Sequence, residues 1–478
     1  MKIRYILSAA LMSIGSLTFS QNLNSAYFLD GYAYGHELNP AKEYDRSSYF
    51  SIPFLPGNMY FSTRGNLALT DFLYKNPNGS GLITALHPSI SAEETLSKFH
   101  ANNKILGDLR YDIFSVGFHT KRAYHTITLG LRTNFGTNIP YDLFRVAKQL
   151  ENRNYSFGNL SITATSWLEA GYSYSRNINE AIRVGGKFKF LIGGGYADVK
   201  MDNLSLNLES PGEWTATANA TAEVGIKNFT WGETETKEYK SRPGTYEKIN
   251  FNNADIDKPG INGFGAAFDL GAEWDLGKQG WVDGLKVGIA ILDIGFIKWK
   301  DVSIAQNKGE EFRFHFDELK VKNSEGKELG EQFDDVSDRL SDLISMQEGG
   351  TTSKSKMLGA TLNLSAEYKM PFYPQLKAGL LSTTRIQGKY SWNEERLALT
   401  VSPVKWFEIS GNVGVGTTGL CIGWVFNLHP RGFNLFAGMD YSIYRMTKQY
   451  IPKSCNSNIC FGINFPIGKS RVEYSKKE

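Results

Sequence analysis

Long segments in which apolar and polar residues alternate constrain the fold of this chain more than any other feature. In residues 264–276 and 358–370 every second side chain is apolar or aromatic, and those between them are mostly small, polar or charged. The same period of two recurs in residues 127–135, 160–175 and 183–192. Such a period places the apolar side chains on one face of an extended strand. The sequence therefore predicts an all-β protein, either a membrane barrel or a soluble sandwich.

The length of these segments favours the membrane. Strands in soluble sheets usually run for about 5 or 6 residues, whereas a tilted strand needs roughly 9 to 11 residues to cross the hydrocarbon core. The mean hydropathy of −0.31 agrees with a barrel, because only every second residue of a barrel strand faces lipid. Aromatic residues also lie near the predicted strand ends, where an interfacial girdle belongs: Tyr172, Tyr174, Trp274, Trp299, Tyr368 and Trp406. We therefore expect a transmembrane antiparallel β-barrel.

Connection lengths allow the strands to be counted. Short links alternate with long ones, and in bacterial barrels the short turns face the periplasm and the long loops face outward. This alternation predicts about fourteen strands within residues 47–467, followed by a polar tail at 468–478. The count also requires a small hairpin inside the third long loop. The long outer loops are expected at residues 70–106, 137–158, 196–259 and 300–356.

The outer loops are expected to contain short helices. Ser91, with Glu94 three residues later, has the form of an N-terminal capping box. Pro140 is a residue type favoured at helix starts, and apolar residues recur at helical spacing in 336–344. We expect these helices to cover the barrel mouth or, alternatively, to form a surface for a partner.

The N-terminus has the features of a signal peptide. Lys2 and Arg4 precede an apolar stretch, and Ser20 ends an acceptable cleavage site. The alternative, a helical membrane anchor, requires a longer apolar segment, and no later window of about 18 residues is continuously apolar. Residues 1–20 therefore predict export, and together with the barrel they predict a location in the bacterial outer membrane.

Charge and motif content argue against several classes of function. The net charge is only +3 and the basic residues are scattered, so we expect no nucleic-acid partner. Residues 414–419 match a dinucleotide fingerprint, but a strand is expected where that motif needs a helix. A calcium-loop-like start at Asp255 lacks its closing carboxylate. Since no Ser–His pair belongs to a nucleophile motif, we expect no enzyme activity, no cofactor and no metal.

The cysteines offer one candidate for a covalent link. Cys455 and Cys460 flank a short polar stretch in the last outer loop. In an oxidising compartment they can form a disulfide, or both can be free thiols. Cys421 is a lone strand residue in either case.

The polar face of the predicted strands supplies the candidate functional residues. Charged side chains are expected to project into the lumen at Arg132, Glu169, Arg183, Lys187, Lys189, Asp269, Glu273, Asp275, Glu367 and Lys369. Two accounts of this mixture of charges are open. Either the charges steer a solute through an aqueous or hatch-filled lumen, or they pair with one another and with the N-terminal segment in a closed, structural barrel.

Two short stretches carry a resemblance to a known family. Residues 25–31 (Ser-Ala-Tyr-Phe-Leu-Asp-Gly) are followed by 38–41 (Leu-Asn-Pro-Ala), and 401–403 (Val-Ser-Pro) are followed by Trp406 and Phe407. Together with the Gly-rich hairpins near the end, they resemble a Bacteroidetes outer-membrane β-barrel family of unknown function. That family is akin to fatty-acid-transporter type barrels and to the barrels of gliding and type IX secretion.

The resemblance implies a fourteen-stranded barrel whose N-terminal segment, residues 21–46, enters the lumen as a hatch. It makes Asn39 and Pro40 the hatch candidates and supplies no substrate. The chain departs from the usual barrel terminus, because it ends at Glu478 in a polar sequence instead of an aromatic residue.

Two functions from different classes follow. The first is a porin-like transport barrel for small molecules, with a hydrophobic cargo in view. The alternative is a barrel that anchors or shuttles protein partners in secretion or surface assembly, with 300–356 as the docking loop. Outer-membrane lipid is the expected surrounding in both, and a monomer is expected because a closed barrel has no free edge. A secreted soluble β protein is a third reading.

Overall fold

The structure is a computed structural model, and it describes most of the chain. The described residues are 23–44, 46–53, 55–77, 79, 81–149, 151, 153–207, 213–238, 243–307, 311–315, 346–441 and 454–470. The predicted signal peptide, residues 471–478 of the predicted tail and most of the predicted 300–356 loop lie outside these residues, as does the helical pattern at 336–344.

The described chain is mostly β-sheet. In chain order the strands are β1 (Arg46–Phe50), β2 (Asn58–Gly65), β3 (Leu73–Lys75), β4 (Leu82–Thr84), β5 (Asn102–His119), β6 (Ala123–Pro140), β7 (Asn154–Ser156), β8 (Leu160–Asn177), β9 (Ile182–Asn207), β10 (Glu213–Gly225), β11 (Phe229–Thr230), β12 (Thr234–Glu238), β13 (Thr245–Ile249), β14 (Asp255–Ile256), β15 (Gly263–Asp275), β16 (Leu285–Gln306), β17 (Glu311–His315), β18 (Gln347–Met357), β19 (Ala360–Lys369), β20 (Leu376–Ile386), β21 (Trp392–Val404), β22 (Phe407–Gly416), β23 (Gly419–Leu428), β24 (Asn434–Met439) and β25 (Ser457–Ser470).

Antiparallel pairing closes these strands into a barrel of fourteen wall positions, which confirms the predicted fold class and strand number. Around the wall the order is β1 with β2, β5, β6, β8, β9, β15, β16, β19, β20, β21, β22, β23, β24 and β25. The last strand pairs back to the first, with Phe50 opposite Phe465 and Met59 opposite Phe461. Because the barrel is closed, the backbone N–H and C=O groups of each wall strand have hydrogen-bond partners on neighbouring strands, as a bilayer requires.

The outward face of the wall is apolar. On β21, for example, Leu397 and Leu399 are more than half exposed, whereas Arg396 and Ala398, which alternate with them, are buried. Because only lipid can solvate a continuous band of exposed Leu, Ile, Phe and Val, the barrel spans a membrane. In bacterial barrels the short turns face the periplasm and the long loops face outward, so we call the end with the short turns the periplasmic end and the end with the long connections the outer end.

This arrangement predicts that Leu399→Arg destabilises the barrel much more than Val404→Arg. Leu399 lies near the middle of β21, and a cation there costs about 2 to 4 kcal/mol, whereas at the strand end the cost falls to roughly 0 to 1 kcal/mol. Urea unfolding of the refolded proteins in lipid vesicles measures both. Equal losses at the two positions would mean that β21 does not cross the hydrocarbon as described.

Several strands extend well beyond the membrane band. β9 has 26 residues and β16 has 22, so both continue into segments that the sequence analysis assigned to the loops 196–259 and 300–356. Beyond the outer end of β15, β10 pairs with β9 and then with β16. Strand pairing continues because backbone hydrogen bonds form in water as well as in lipid. The pairs β11–β14 and β12–β13 supply the small hairpin structure expected in the 196–259 segment.

Among the residues that the structure describes, three short α-helices lie at the outer end: α1 (Leu69–Phe72), α2 (Ala92–Leu96) and α3 (Tyr141–Lys148). The predicted cap is present, since the Ser91 hydroxyl accepts a hydrogen bond from the Glu94 backbone N–H. Phe99 and Phe144 stack with ring centroids 3.9 Å apart and join the helices into one apolar cluster. Within the described ranges, no helix has the length and apolar composition that a bilayer crossing requires.

The main core of the barrel lies inside its lumen. Residues 23–44, which we call the N-terminal segment, contain two single-turn 3₁₀ helices, Asn24–Ala26 and Gly35–Glu37, and are almost entirely buried. Their Tyr, Phe and Leu side chains pack against inward residues of the wall in one cluster. A lumen of this width is too large for wall side chains alone to fill, and here a piece of the chain fills it.

Candidate functional site in the barrel lumen

The N-terminal segment is fixed at its centre by one buried carboxylate. Glu37 is 2% exposed, and its Oε1 atom lies 2.6 Å from Arg110 Nη2 and 2.7 Å from Lys187 Nζ. Arg132 approaches the other oxygen at 3.7 Å. A carboxylate surrounded by cations in this way replaces its lost hydration with charge-assisted hydrogen bonds. Glu37 is therefore the strongest polar link between the N-terminal segment and the wall.

Electrostatics keeps Glu37 ionised. Burial by itself raises the pKa of the Glu37 carboxyl, but Arg110 and Lys187 outweigh that effect and hold this pKa well below its usual range. Burial also lowers the pKa of the adjacent His36 to about 3, so its imidazole is neutral near pH 7. The compensating positive charge therefore comes from the wall strands, not from the N-terminal segment itself.

A second carboxylate holds the start of the N-terminal segment. Asp440, fully buried after β24, accepts hydrogen bonds from the backbone N–H groups of Asn24 at 3.1 Å and Ser25 at 2.7 Å. The Ser25 hydroxyl donates to the same carboxylate at 2.6 Å. Further along, Glu408 accepts the N–H of Gly31 at 2.9 Å. The N-terminal segment is irregular and buried, so its backbone N–H groups need hydrogen-bond partners. These carboxylates supply them.

The wall also bonds the carbonyl groups of the N-terminal segment. The amide of Asn363 donates to the Leu38 carbonyl at 2.9 Å, and the guanidinium of Arg183 donates to that of Ala41 at 2.8 Å. The amide of Asn434 donates to the Gly31 carbonyl at 3.0 Å. Donors and acceptors thus come from strands all around the barrel.

The two hatch candidates lie at a close approach to the wall. Asn39 is fully buried, and its side-chain oxygen accepts the N–H of Ala41 at 2.9 Å. Pro40 lies over β9 and β15, where a Cβ at Gly185 would collide with the Pro40 carbonyl and one at Gly271 would collide with the Asn39 side chain. The glycines at these two wall positions therefore let the backbone of the N-terminal segment reach the wall.

Most of the charged residues singled out from the sequence meet in the lumen. Lys189 lies 2.7 Å from Asp269 and 2.6 Å from Asp293, and Arg132 lies 3.0 Å from Glu169. The pairs closer to the periplasmic end are these: Arg183 with Glu43, Glu273 with Lys42, and Glu367 with Lys377.

Two of the sequence candidates are not part of these contacts. Asp275 accepts a hydrogen bond from the Lys278 N–H at 3.4 Å, within the turn that follows β15. Lys369 is exposed at the periplasmic end of β19. Both follow the predicted alternation, but each is the last residue of its strand and lies at the rim of the barrel, outside the lumen contacts.

Several important lumen residues were not singled out from the sequence. Glu394 and Arg396 share the inward face of β21 and form a buried pair at 2.6 Å, so strict alternation could have found them. Asp293 could not be found this way, because it lies at a register shift in β16 and has a φ of +60°. Arg110 and Asp112 precede a similar shift in β5. A bulge changes which residues face inward, and alternation alone does not reveal it.

Of the two possibilities left open for Cys455 and Cys460, the structure has the free thiols. Cys460 is within β25, opposite Tyr60, and fully buried, whereas Cys455 precedes the strand near Gly65. An extended chain rises about 3.3 Å per residue, which carries the two residues beyond the roughly 7 Å Cα separation that a disulfide tolerates.

The dinucleotide-like stretch at 414–419 forms the tight turn between β22 and β23, where Gly419 has a φ of +93°. It therefore lacks the helix that a phosphate site requires, as the sequence analysis anticipated. Across the part of the chain that the structure describes, no group of three His, Cys, Asp or Glu side chains is arranged to hold a metal ion.

A short turn crosses the outer mouth of the barrel. We call residues 387–391, between β20 and β21, the outer turn. Its Tyr390 hydroxyl lies 2.9 Å from the Ser161 hydroxyl on β8, and the Lys389 carbonyl accepts a hydrogen bond from Lys104 on β5 at 2.6 Å. Strands β8 and β21 are six positions apart in a ring of fourteen. The outer turn thus reaches nearly across the lumen, outward of the N-terminal segment.

Arg64 adds a third contact at this level. Its guanidinium lies 3.6 Å from the centre of the Trp392 ring, just after the outer turn, and is itself buried. A cation over an indole face is attracted to the ring and is well suited to a site without water. The described lumen is therefore obstructed twice, by the N-terminal segment and by the outer turn with Trp392.

Sequence comparison connects the chain to a family. The model of a family described as "Family of unknown function (DUF5723)" matches residues 40–440. No curated protein matches the chain.

Solved structures similar to this chain include bacterial barrels. The Pseudomonas putida toluene transporter TodX has 6% identity and a TM-score of 0.40, covering 90% of this chain and 93% of that chain. A Pseudomonas aeruginosa FadL homologue has 9% identity and a TM-score of 0.40, covering 96% of this chain and 100% of that chain. The translocator domain of the autotransporter NalP from Neisseria meningitidis has 6% identity and a TM-score of 0.30, with 88% of each chain covered. At these values the similarities do not bear on what passes through or binds to this chain.

Proposed function

This chain belongs to the DUF5723 family, whose function is unknown, and we propose from its own geometry that it is a gated transport barrel of the bacterial outer membrane. In this proposal residues 1–20 direct export, the barrel works as a monomer, and the N-terminal segment is the hatch that closes it. Small molecules pass through the lumen when the hatch moves.

One observation carries the proposal: the N-terminal segment fills the lumen without being part of the wall. It joins the wall covalently only through the start of β1, and its other contacts are hydrogen bonds, ion pairs and side-chain packing. Such contacts can break and re-form, whereas the paired strands of the wall close the barrel without any residue of the segment. A purely structural barrel needs no lumen of this width, since about eight strands fill their own interior with side chains.

A reversible lock tests whether the hatch must move. A Cβ placed at Gly423 would lie closer to the Ser25 hydroxyl than van der Waals contact allows and would also crowd the side chains of Asn412 and Arg396, which must shift. The two backbones are therefore close enough for Ser25→Cys with Gly423→Cys to form a disulfide. The native residues Cys421, Cys455 and Cys460 are replaced by Ser. We expect wild-type protein in planar bilayers to open transiently, the oxidised double variant to be silent, and reduction to restore the openings.

Each single cysteine variant is the control, because it carries the same local change but cannot form the bridge. Openings of equal frequency in the oxidised and reduced double variant would contradict a moving hatch. Absence of openings in wild-type protein at every voltage would favour the structural account of the lumen charges.

An apolar cargo is a second form of the proposal, and an interruption in the first strand favours it. Phe50 of β1 pairs opposite Phe465 of β25, and Met59 of β2 pairs opposite Phe461. The chain between Phe50 and Met59 is therefore longer than the facing stretch of β25, and it leaves the regular pairing of the wall. Exposed residues of this interruption, such as Ile52, face the membrane. On its inner side lie the buried aromatic rings of the lumen cluster, including Tyr34 and Tyr49. Uptake of a radiolabelled aromatic hydrocarbon by vesicles that contain the lock variant, oxidised and reduced, tests this form.

The alternative of a protein-docking barrel predicted residues 300–356 as the docking loop. Residues 308–310 and 316–345 of that loop lie outside the described residues, so docking there remains a prediction. A stoichiometric protein partner that co-purifies with wild-type protein and is lost when 316–345 is deleted would support docking, provided that the openings of the barrel are unchanged.

A further inference from the structure

A small cavity lies in the lumen between the two obstructions. Its volume is about 50 Å³, and Asn24 and Leu38 of the N-terminal segment line it. On β6 the cavity is lined by Asn134, while Gly136, further outward, contacts the Tyr390 ring of the outer turn. The cavity therefore lies between the N-terminal segment and the level of the outer turn, and we call it the outer chamber.

The outer chamber is lined by buried polar atoms that lack partners among the described residues. They are Trp167 Nε1, Asn363 Oδ1, Thr383 Oγ1 and Arg385 Nε. Each of these side chains is more than nine-tenths buried. Buried polar groups in folded proteins almost always have hydrogen-bond partners, so four unsatisfied atoms around one cavity indicate a polar occupant.

The chamber also carries opposite charges on facing walls, at Asp108 and Arg385. Its other charged lining residues, Arg132, Glu169 and Asp293, already have ion-pair partners. The Asp108 carboxylate is 8% exposed and accepts a hydrogen bond from the Asn134 amide, but no cation of the described residues is within ion-pair distance. Arg385 uses Nη1 for Asp293 at 3.1 Å and Thr361 at 2.8 Å, which leaves its Nε donor for the chamber. Since β5 is the second and β20 the ninth of fourteen wall positions, the two charges face each other across the lumen.

We propose that the outer chamber binds a small zwitterion of the amino-acid type. Its ammonium group lies at Asp108, and its carboxylate accepts hydrogen bonds from Arg385 and Thr383. The ammonium group forms the direct ion pair that Asp108 lacks among the described residues, and Asn363 Oδ1 offers a further acceptor for it. A carboxylate suits the guanidinium and hydroxyl donors of the other wall.

The size and polarity of the chamber favour a small zwitterion over larger, apolar or singly charged ligands. A volume of about 50 Å³ admits only a few non-hydrogen atoms, which corresponds to glycine or β-alanine among zwitterions. A cation alone would pair with Asp108 but leave the Arg385 Nε and Thr383 donors without an acceptor, and a hydrocarbon would satisfy neither side. This inference gives a cargo class to the proposed passage and rests on that function for its biological meaning.

Equilibrium dialysis of the purified full-length protein in detergent micelles tests the inference. The probes are radiolabelled glycine, methylammonium and acetate. We expect glycine to bind at least about tenfold more tightly than either single-charge probe, because two charge-assisted contacts act together. Asp108→Asn should weaken glycine binding by about tenfold or more and leave acetate binding unchanged. Thr383→Val should weaken glycine binding and acetate binding to the same extent.

Asp275→Asn is the matched control, because it removes a carboxylate at the periplasmic rim, remote from the chamber. If Asp108→Asn fails to fold, glycine binding by Thr383→Val tests the proposal instead, since this substitution changes no charge. Glycine binding no tighter than that of methylammonium or acetate would overturn the proposal and leave the chamber to water or a single ion. Openings in the lock experiment without glycine binding would refute the cargo class alone, whereas glycine binding without openings would refute the passage.

Discussion

Deleting residues 23–44 is expected to turn the closed barrel into an open channel. The segment fills the centre of the lumen, where its aromatic and leucine side chains form the main core with the wall. Without it, water reaches the inward charges of the wall, which then line an aqueous passage as in wide porin-type barrels. We expect the single-channel conductance in planar bilayers to exceed the wild-type resting level by roughly tenfold or more.

The wall itself should survive this deletion. β25 pairs with β1 and β2, and that closure involves no residue of the N-terminal segment. The deletion variant should therefore keep the heat-dependent shift in gel mobility that folded barrels show in detergent. Folding can thus be checked on the same sample as the conductance.

A synthetic peptide of residues 23–44 provides a matched control for the deletion. Added to the periplasmic side of the open variant, it should lower the conductance, whereas a peptide with the same residues in scrambled order should not. A folded deletion variant that is as silent as wild-type protein would contradict the assignment of this segment as the hatch. The outer turn, which spans the mouth through Lys389 and Tyr390, would then be the decisive barrier.

The sequence carries most of the information on the wall and much less on the lumen. On β21 the outward Leu397 and Leu399 and the inward Glu394 and Arg396 follow strict alternation, so both faces can be read from the residue order. Alternation is a local property, and it survives wherever a strand continues without a bulge. The strand count followed from this property together with the rhythm of short and long links.

The contacts of the N-terminal segment could not be derived from local pattern. Glu37 meets Arg110, Lys187 and Arg132, which come from three different wall strands, and nothing in the neighbouring residues of Glu37 specifies that meeting. Asp293 faces the lumen only because its own backbone has a positive φ and lies at a register shift in β16. Long-range packing and bulges are thus the two reasons why alternation alone misplaces or omits lumen residues.

The second large effect is expected for Glu37→Gln. The substitution keeps the shape of the side chain but removes the negative charge that two fully buried cations, Arg110 and Lys187, approach within 2.7 Å. Removing one partner of such a buried group costs about 3 to 5 kcal/mol, because the compensation of the two cations is then incomplete. Arg110 keeps Asp112 at 3.0 Å, and Lys187 keeps Glu169 at 3.6 Å. The wall does not depend on Glu37, so this cost falls on the seating of the N-terminal segment. The released fraction should rise by at least about 100-fold.

Limited proteolysis measures the seating directly. Lys42 is partly buried and paired with Glu273 in the seated state, at 3.5 Å, so trypsin should cleave after it only when the segment is released. Glu37→Gln should therefore be cut much faster than wild-type protein while the barrel is unchanged in gel mobility. It should also open more often in bilayers.

Asp30→Asn is the control for Glu37→Gln. It also removes one negative charge from the N-terminal segment, but at an exposed side chain instead of a buried one. Asp30 pairs with Lys377 at 3.0 Å, but its own side chain is 53% exposed, and the buried Lys377 keeps Glu367 at 3.6 Å. Removal of the Asp30 charge should therefore cost much less than that of Glu37, about 1 kcal/mol. Adding Lys187→Gln to Glu37→Gln removes one of the two cations that lost the Glu37 charge and should restore part of the protection from trypsin. Equal cleavage of the Glu37→Gln and Asp30→Asn proteins, or no restoration by Lys187→Gln, would mean that packing of the aromatic cluster, not the buried ion pairs, holds the hatch in place.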